Sequence, residues 1–155
     1  DGIRDSVASR GLGDVYKRQV QHWSARGIAD RNKSLWGGWF MKLKTETIYH
    51  AGDTGYSKDF IETKTRLGSP SLSLIPVGAY APRWFMKTHH VNPSEAIQIA
   101  IDLESEKNYG MHWGTFQLTD EEILEPPKML KESLKDQGLP DKFFNILKPG
   151  QVVAL

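Results

Sequence analysis

The sequence predicts a layered α/β domain, on three observations. Strand-like and helix-like segments alternate from Val20 to the end. The clearest helix start, Asn92-Pro93-Ser94-Glu95, follows the short apolar run 71–77 (SLSLIPV). Residues 46–51 (ETIYHA) stop abruptly at Gly52-Asp53-Thr54-Gly55, as a strand does when it gives way to a loop.

Each element follows from local chemistry. Residues 36–44, with aromatic and apolar side chains interleaved with glycine and lysine, and residues 46–51 read as two strands. Ser57 is the expected N-cap of a helix over 58–67, and Gly68 closes it. Residues 71–77 form a buried strand. Asn92 caps the next helix, Pro93 suits its first position and Glu95 completes a capping box. Its expected inward face carries Ile97, Ala100, Ile101 and Glu104. Tyr109 to His112 is a short strand running into Gly114. Pro126-Pro127 opens a last helix that reaches about residue 137 and stops at Gly138. Residues 143–147 and 151–155 are expected as terminal strands about the Pro149-Gly150 turn.

Composition narrows the function classes. The chain has 155 residues, one domain's worth. Its net charge is +1 with acids and bases interleaved, which argues against a nucleic-acid surface. It has no cysteine, so any metal site must be built from His, Asp or Glu. No apolar run approaches the ~20 residues of a membrane helix. Residues 1–19 (DGIRDSVASRGLGDVYKRQ) lack periodicity and are read as a non-native or disordered leader, with 20–155 as the structural unit.

Three motifs place a metal-capable side chain at a strand end or in the loop after it. They are Gln21-His22-Trp23, Gly52-Asp53-Thr54-Gly55 and Met111-His112-Trp113-Gly114. Strand ends are rigid and the adjoining loops are open, so a site there is both held and accessible. Each motif alone is equally compatible with a turn or a hydrogen-bonded structural histidine.

The blocks around these motifs are long and collinear: QHWSARGIADRNKSLWGGW, HAGDTGY, LIPVGAYAPRWFMKTHHVNPSEAIQIAIDL, MHWGTFQLTDEEILEPPKML and the closing Lys148-Pro149-Gly150. They resemble the metallo-β-lactamase superfamily, and within it the C-terminal half of the phospholipase D branch that hydrolyses N-acyl-phosphatidylethanolamine. The resemblance implies the C-terminal half of an αββα sandwich carrying two zinc ions at one edge. It implies His22 as a ligand of the first zinc, Asp53 as the carboxylate bridging both, and His112 as a ligand of the second. It also implies catalytic roles for Asp53 and for His90, which reads equally as a structural histidine just before the Asn92 helix start. Tyr80, Arg83 and Trp84 are candidate substrate contacts in an aromatic and apolar loop suited to acyl chains; the alternatives are core or dimer packing and, for Arg83, a surface salt bridge. His50 is read as structural and His89 as a solvated neighbour.

The sequence departs from the family in one respect: the HxHxDH motif that supplies the remaining ligands is absent. The chain alone is therefore expected to bind zinc weakly, to lack useful turnover, and to expose an apolar face that favours aggregation. For the intact parent, the resemblance implies a cytoplasmic phosphodiesterase with peripheral membrane contact, a phospholipid substrate and a homodimeric state. Two alternatives stay open: a lactonase or a nucleotide or sugar-phosphate hydrolase of the same fold, and a non-catalytic module that pairs with another chain.

Overall fold

The structure is a computed structural model that describes residues 37–154, together with the backbone of four short strands before them. Those strands are β1 (Asp5–Val7), β2 (Tyr16–Gln19), β3 (His22–Ser24) and β4 (Ser34–Trp36). They are followed by β5 (Trp39–Lys42), β6 (Thr47–His50), α1 (Asp59–Leu67), β7 (Leu72–Pro76), α2 (Arg83–Met86), α3 (Pro93–Leu103), β8 (Lys107–Met111), α4 (Glu125–Asp136), a 3-10 turn at Asp141–Phe143 and β9 (Asn145–Ile146). One sheet runs in the order β1-β2-β5-β6-β7-β8-β9, and β3 pairs with β4 separately. The strands β1 and β2 fall within residues 1–19, the stretch expected from the sequence to be a leader.

Strands β6 to β9 are parallel, while β5 runs antiparallel to β6. Parallel neighbours need a crossover, and α1, the α2–α3 segment and α4 supply the three crossovers. Helix α3 packs against α1, α4 and β7. The core lies in this layer: Phe40, Tyr49 and Ile75 from the sheet meet Phe60 from α1, Ala96, Ile97, Ile99, Ala100 and Leu103 from α3, and Leu130 and Leu134 from α4. Tyr49 meets Phe60 edge-on at 6.4 Å between ring centroids, which locks α1 over β6.

The α3 capping box forms as the sequence predicts. The Asn92 side chain accepts from the Glu95 backbone N–H at 2.8 Å, and the Asn92 N–H donates to Glu95 Oε2 at 3.1 Å. Other expectations are corrected. Helix α1 begins after Lys58, and the Ser57 hydroxyl accepts from the Asp59 N–H at 3.4 Å while donating to Asp59 Oδ2 at 2.9 Å. On α3 the buried face is Ala96, Ile97, Ile99, Ala100 and Leu103, whereas Ile101 is exposed and Glu104 is a left-handed C-cap. The helix is covered on both its sheet side and its α1 and α4 sides, so its apolar face is wider than the predicted stripe. Residues 151–154 form no strand: β9 ends at Ile146, and 151–154 are exposed with no sheet partner among the described residues.

Candidate metal centre

Parallel strands place their carboxyl ends along one edge of the sheet, where open α/β sheets bind ligands. Three loops leave this edge together: residues 51–57 after β6, 77–92 after β7, and 112–124 after β8. Each carries one group of the candidate site. Asp53, His90 and His112 each offer a ligand atom, and these atoms all lie within 4.8 Å of one another. His112 Nε2 is 3.4 Å from Asp53 Oδ1, and the His90 and His112 rings lie 5.2 Å apart between centroids.

The backbone is shaped for this convergence. His112 has φ 61°, a left-handed conformation that turns the chain sharply away from β8. Gly78 packs so closely beneath it that a Cβ there would stand 2.3 Å from the His112 carbonyl oxygen. Gly55 approaches the other loop in the same way, since its Cβ would stand 2.6 Å from the Thr88 carbonyl oxygen. The Asp53 turn is tied back to its strand by His50, whose Nδ1 accepts from the Gly52 N–H at 3.1 Å. The Val91 N–H donates to the Thr54 carbonyl at 2.8 Å and fixes the His90 segment beside the Asp53 loop.

The surroundings of His90 favour its neutral imidazole. Burial pushes the His90 imidazole below its ordinary range; the Asp53 carboxylate opposes that shift, and His112 and His89 reinforce it. His90 Nδ1 is buried without a hydrogen-bond partner among the described residues, a deficit that a ligand can relieve. One carboxylate and two imidazoles form a donor set that suits zinc and related divalent ions. The group therefore fits a metal on both chemistry and geometry.

The remaining predicted residues divide. His22 lies in β3, and its side chain falls outside the described residues. Tyr80 is buried, and its hydroxyl donates to Glu125 at 2.6 Å, an interaction that with burial raises its pKa. Arg83 donates to the His90 carbonyl at 2.8 Å and to Glu95 Oε2 at 2.7 Å, so its guanidinium is engaged within the protein. Trp84 stands 86% exposed next to the exposed Phe85. The sequence reading missed Glu121, a nearly buried carboxylate in the loop after β8. Its signal was the Thr119-Asp120-Glu121-Glu122 run, which reads equally as a solvated acidic turn.

Comparison with known proteins bears on this geometry. A family model described as the Beta-lactamase superfamily domain matches residues 5–113. The chain is 43% identical over 128 residues to the mitochondrial N-acyl-phosphatidylethanolamine-hydrolyzing phospholipase D of Saccharomyces cerevisiae, a match covering 81% of this chain and 27% of that protein. It is 39% identical over 136 residues to N-acyl-phosphatidylethanolamine-hydrolyzing phospholipase D 1 of Caenorhabditis elegans, covering 86% of this chain and 38% of that one. The chain thus spans well under half the length of these relatives. Among solved structures, the metallo-β-lactamase fold protein YhfI of Bacillus subtilis superposes with a TM-score of 0.61 at 16% identity, covering 93% of this chain and 50% of that chain.

Proposed function

Because the chain belongs to the metallo-β-lactamase superfamily of metal-dependent hydrolases, we propose that Asp53, His90 and His112 form part of a catalytic metal centre. The observation that carries this reading is the convergence of the three side chains, from three separate loops, within 4.8 Å. We assign Asp53 and His112 as metal ligands, with His22 as a further ligand. His90 supplies the third donor within this chain. In a centre completed by further ligands, His90 is assigned to contact the substrate.

The proposed substrate is an N-acyl phospholipid and the proposed reaction is of phospholipase D type. The 39% and 43% identities to two phospholipases D of that specificity support it. Held by Asp53, His112 and His22, a divalent cation would supply Lewis-acid chemistry and would make hydroxide available near neutral pH. The water oxygen bonds to phosphorus, the bond from phosphorus to the N-acylethanolamine oxygen breaks, and a proton passes to that leaving oxygen. The products are phosphatidic acid and an N-acylethanolamine. The chain's own contribution is positioning. The Asp53 turn is fixed by His50, and the His112 turn is fixed by its left-handed backbone over Gly78. The His90 segment is fixed by Thr54 and Arg83. We assign Trp84 and Phe85, exposed together and in ring contact, to meet the acyl chains. Arg83 is assigned a positioning role in this reading, because its donors already hold Glu95 and the His90 carbonyl.

The test uses the full-length protein with vesicles containing N-acyl-phosphatidylethanolamine, and phosphatidic acid release as the readout. Asp53→Ala and His112→Ala should each lower turnover by on the order of 100-fold or more, beyond the loss usual for groups that merely support a ligand. Cleavage of a lactone or a nucleotide phosphodiester with no phosphatidic acid formed would reject the phospholipid substrate and leave the metal centre standing.

A further inference from the structure

The two imidazoles of the candidate centre sit on different loops, so their spacing depends on whatever joins those loops. His112 opens the segment that runs to α4, and His90 closes the segment that runs from β7 to α3. Between them lies the Glu121 carboxylate, only 9% exposed. Its Oε1 accepts from the Tyr80 backbone N–H at 3.2 Å and from the Thr119 hydroxyl at 2.7 Å. Its Oε2 accepts from the Ala81 N–H at 3.0 Å. Successive backbone N–H groups turned toward one anion form a concave cradle, and here the anion is a side chain from the neighbouring loop. From this cradle the link continues through Arg83, which donates to the Tyr80 carbonyl at 3.4 Å and to the His90 carbonyl at 2.8 Å. The residue before the cradle is Ala79, held at φ 61°, and before that Gly78 packs on the His112 carbonyl.

We propose that Glu121 is a positioning residue of the metal centre, its carboxylate fastening the His112 loop to the His90 loop and so setting the spacing of the two imidazoles. This inference rests on the metal-centre reading above. The requirement is for a carboxylate. Both of its oxygens accept hydrogen bonds from donors, and a glutamine would turn an NH2 group toward at least one of them. Leaving a buried backbone N–H unsatisfied is unfavourable, so the cradle and the loop it holds would rearrange. One backbone bond runs beside the cradle, from the Asp120 N–H to the Ala81 carbonyl at 3.4 Å, so the Glu121 carboxylate supplies most of the polar contact between the two loops.

The test compares the wild-type chain with Glu121→Gln, Thr119→Val and Leu130→Ala. Leu130 belongs to the α4 side of the core and serves as a control for loss of stability alone. Two readouts are taken. One is the nuclear Overhauser cross-peak between the His90 and His112 rings in metal-free protein. The other is Zn2+ affinity by calorimetric titration. Glu121→Gln should abolish or strongly weaken the cross-peak and lower Zn2+ affinity ten-fold or more, the size of effect typical of groups that orient ligands. Thr119→Val, which removes the side-chain hydroxyl donor and leaves the backbone donors, should lower affinity a few-fold, and it carries the comparison if Glu121→Gln does not fold. Leu130→Ala should lower the melting temperature and leave both readouts unchanged.

Retention of the cross-peak and of affinity within two-fold in Glu121→Gln would overturn the proposal. So would equal losses in Leu130→Ala, or a wild-type chain with no cross-peak. If the wild type shows the cross-peak but takes up no Zn2+, the metal-centre reading fails and the cross-peak alone decides the role of Glu121.

Discussion

His112 is held at φ 61° at the point where β8 ends, and its carbonyl rests against Gly78. A left-handed conformation at a residue other than glycine is held by its surroundings, and such residues concentrate at functional sites. Gly78→Ala would force a Cβ to within 2.3 Å of that carbonyl, so the His112 turn must move. The expected outcome is a chain that still folds, by circular dichroism, but binds Zn2+ at least about ten-fold more weakly. Glu121 makes a second prediction at this scale. Burial raises its pKa, but hydrogen bonds from Thr119 and from the backbone of Ala81, Glu121 and Ala79 outweigh that and hold it below the ordinary carboxylate value of 4.5. A depressed folded pKa contributes stability that is complete above the unfolded value and is lost as pH falls through the folded value. Wild-type stability should therefore fall with acidification below about pH 4.5, and Glu121→Gln should show a shallower acid limb in urea titrations.

At the scale of elements, α3 is the piece that brings the His90 segment into register. Its capping box also engages Arg83, because Glu95 Oε2 accepts both from the Asn92 N–H and from the guanidinium. Asn92→Ala removes an N-cap acceptor and should destabilise the chain by about 1 kcal/mol in chemical denaturation. The α3 start was legible in the sequence because the Asn-Pro-Ser-Glu pattern is a local signal read by local hydrogen bonds. The same is true of the Gly52 to Gly55 turn and of the Gly138 stop. The inward face of α3 was not legible in full, since its width depends on two flanking helices far away in the chain. The absence of a strand at 151–154 was equally hidden, because alternating apolar residues cannot reveal whether a sheet edge lies within reach. Asp53 and His112 could be singled out as candidates because each sits where a strand ends. Glu121 could not, since its role arises only when backbone N–H groups some 40 residues away turn toward it.

At the scale of the whole molecule, one layer of helices covers one face of a mixed sheet, and the site lies along the carboxyl edge of its parallel half. Stability and site geometry are separable in this arrangement, because the α3–α4 contact lies in the helical layer while the loops leave the sheet edge. Leu130→Ala should lower stability by about 2–5 kcal/mol, as truncation of a buried leucine does, without changing the centre. Half-buried Ile48, Leu74 and Tyr109 alternate with the buried Tyr49 and Ser73 along the sheet. The central claim is that Asp53, His90 and His112 act together as one metal centre. Calorimetric titration of the chain with Zn2+, alongside Asp53→Ala, His90→Ala and His112→Ala, tests it most directly. A single binding event is expected, which each substitution removes or weakens by at least ten-fold. Binding that survives all three substitutions unchanged, or its absence from the wild type, would contradict it.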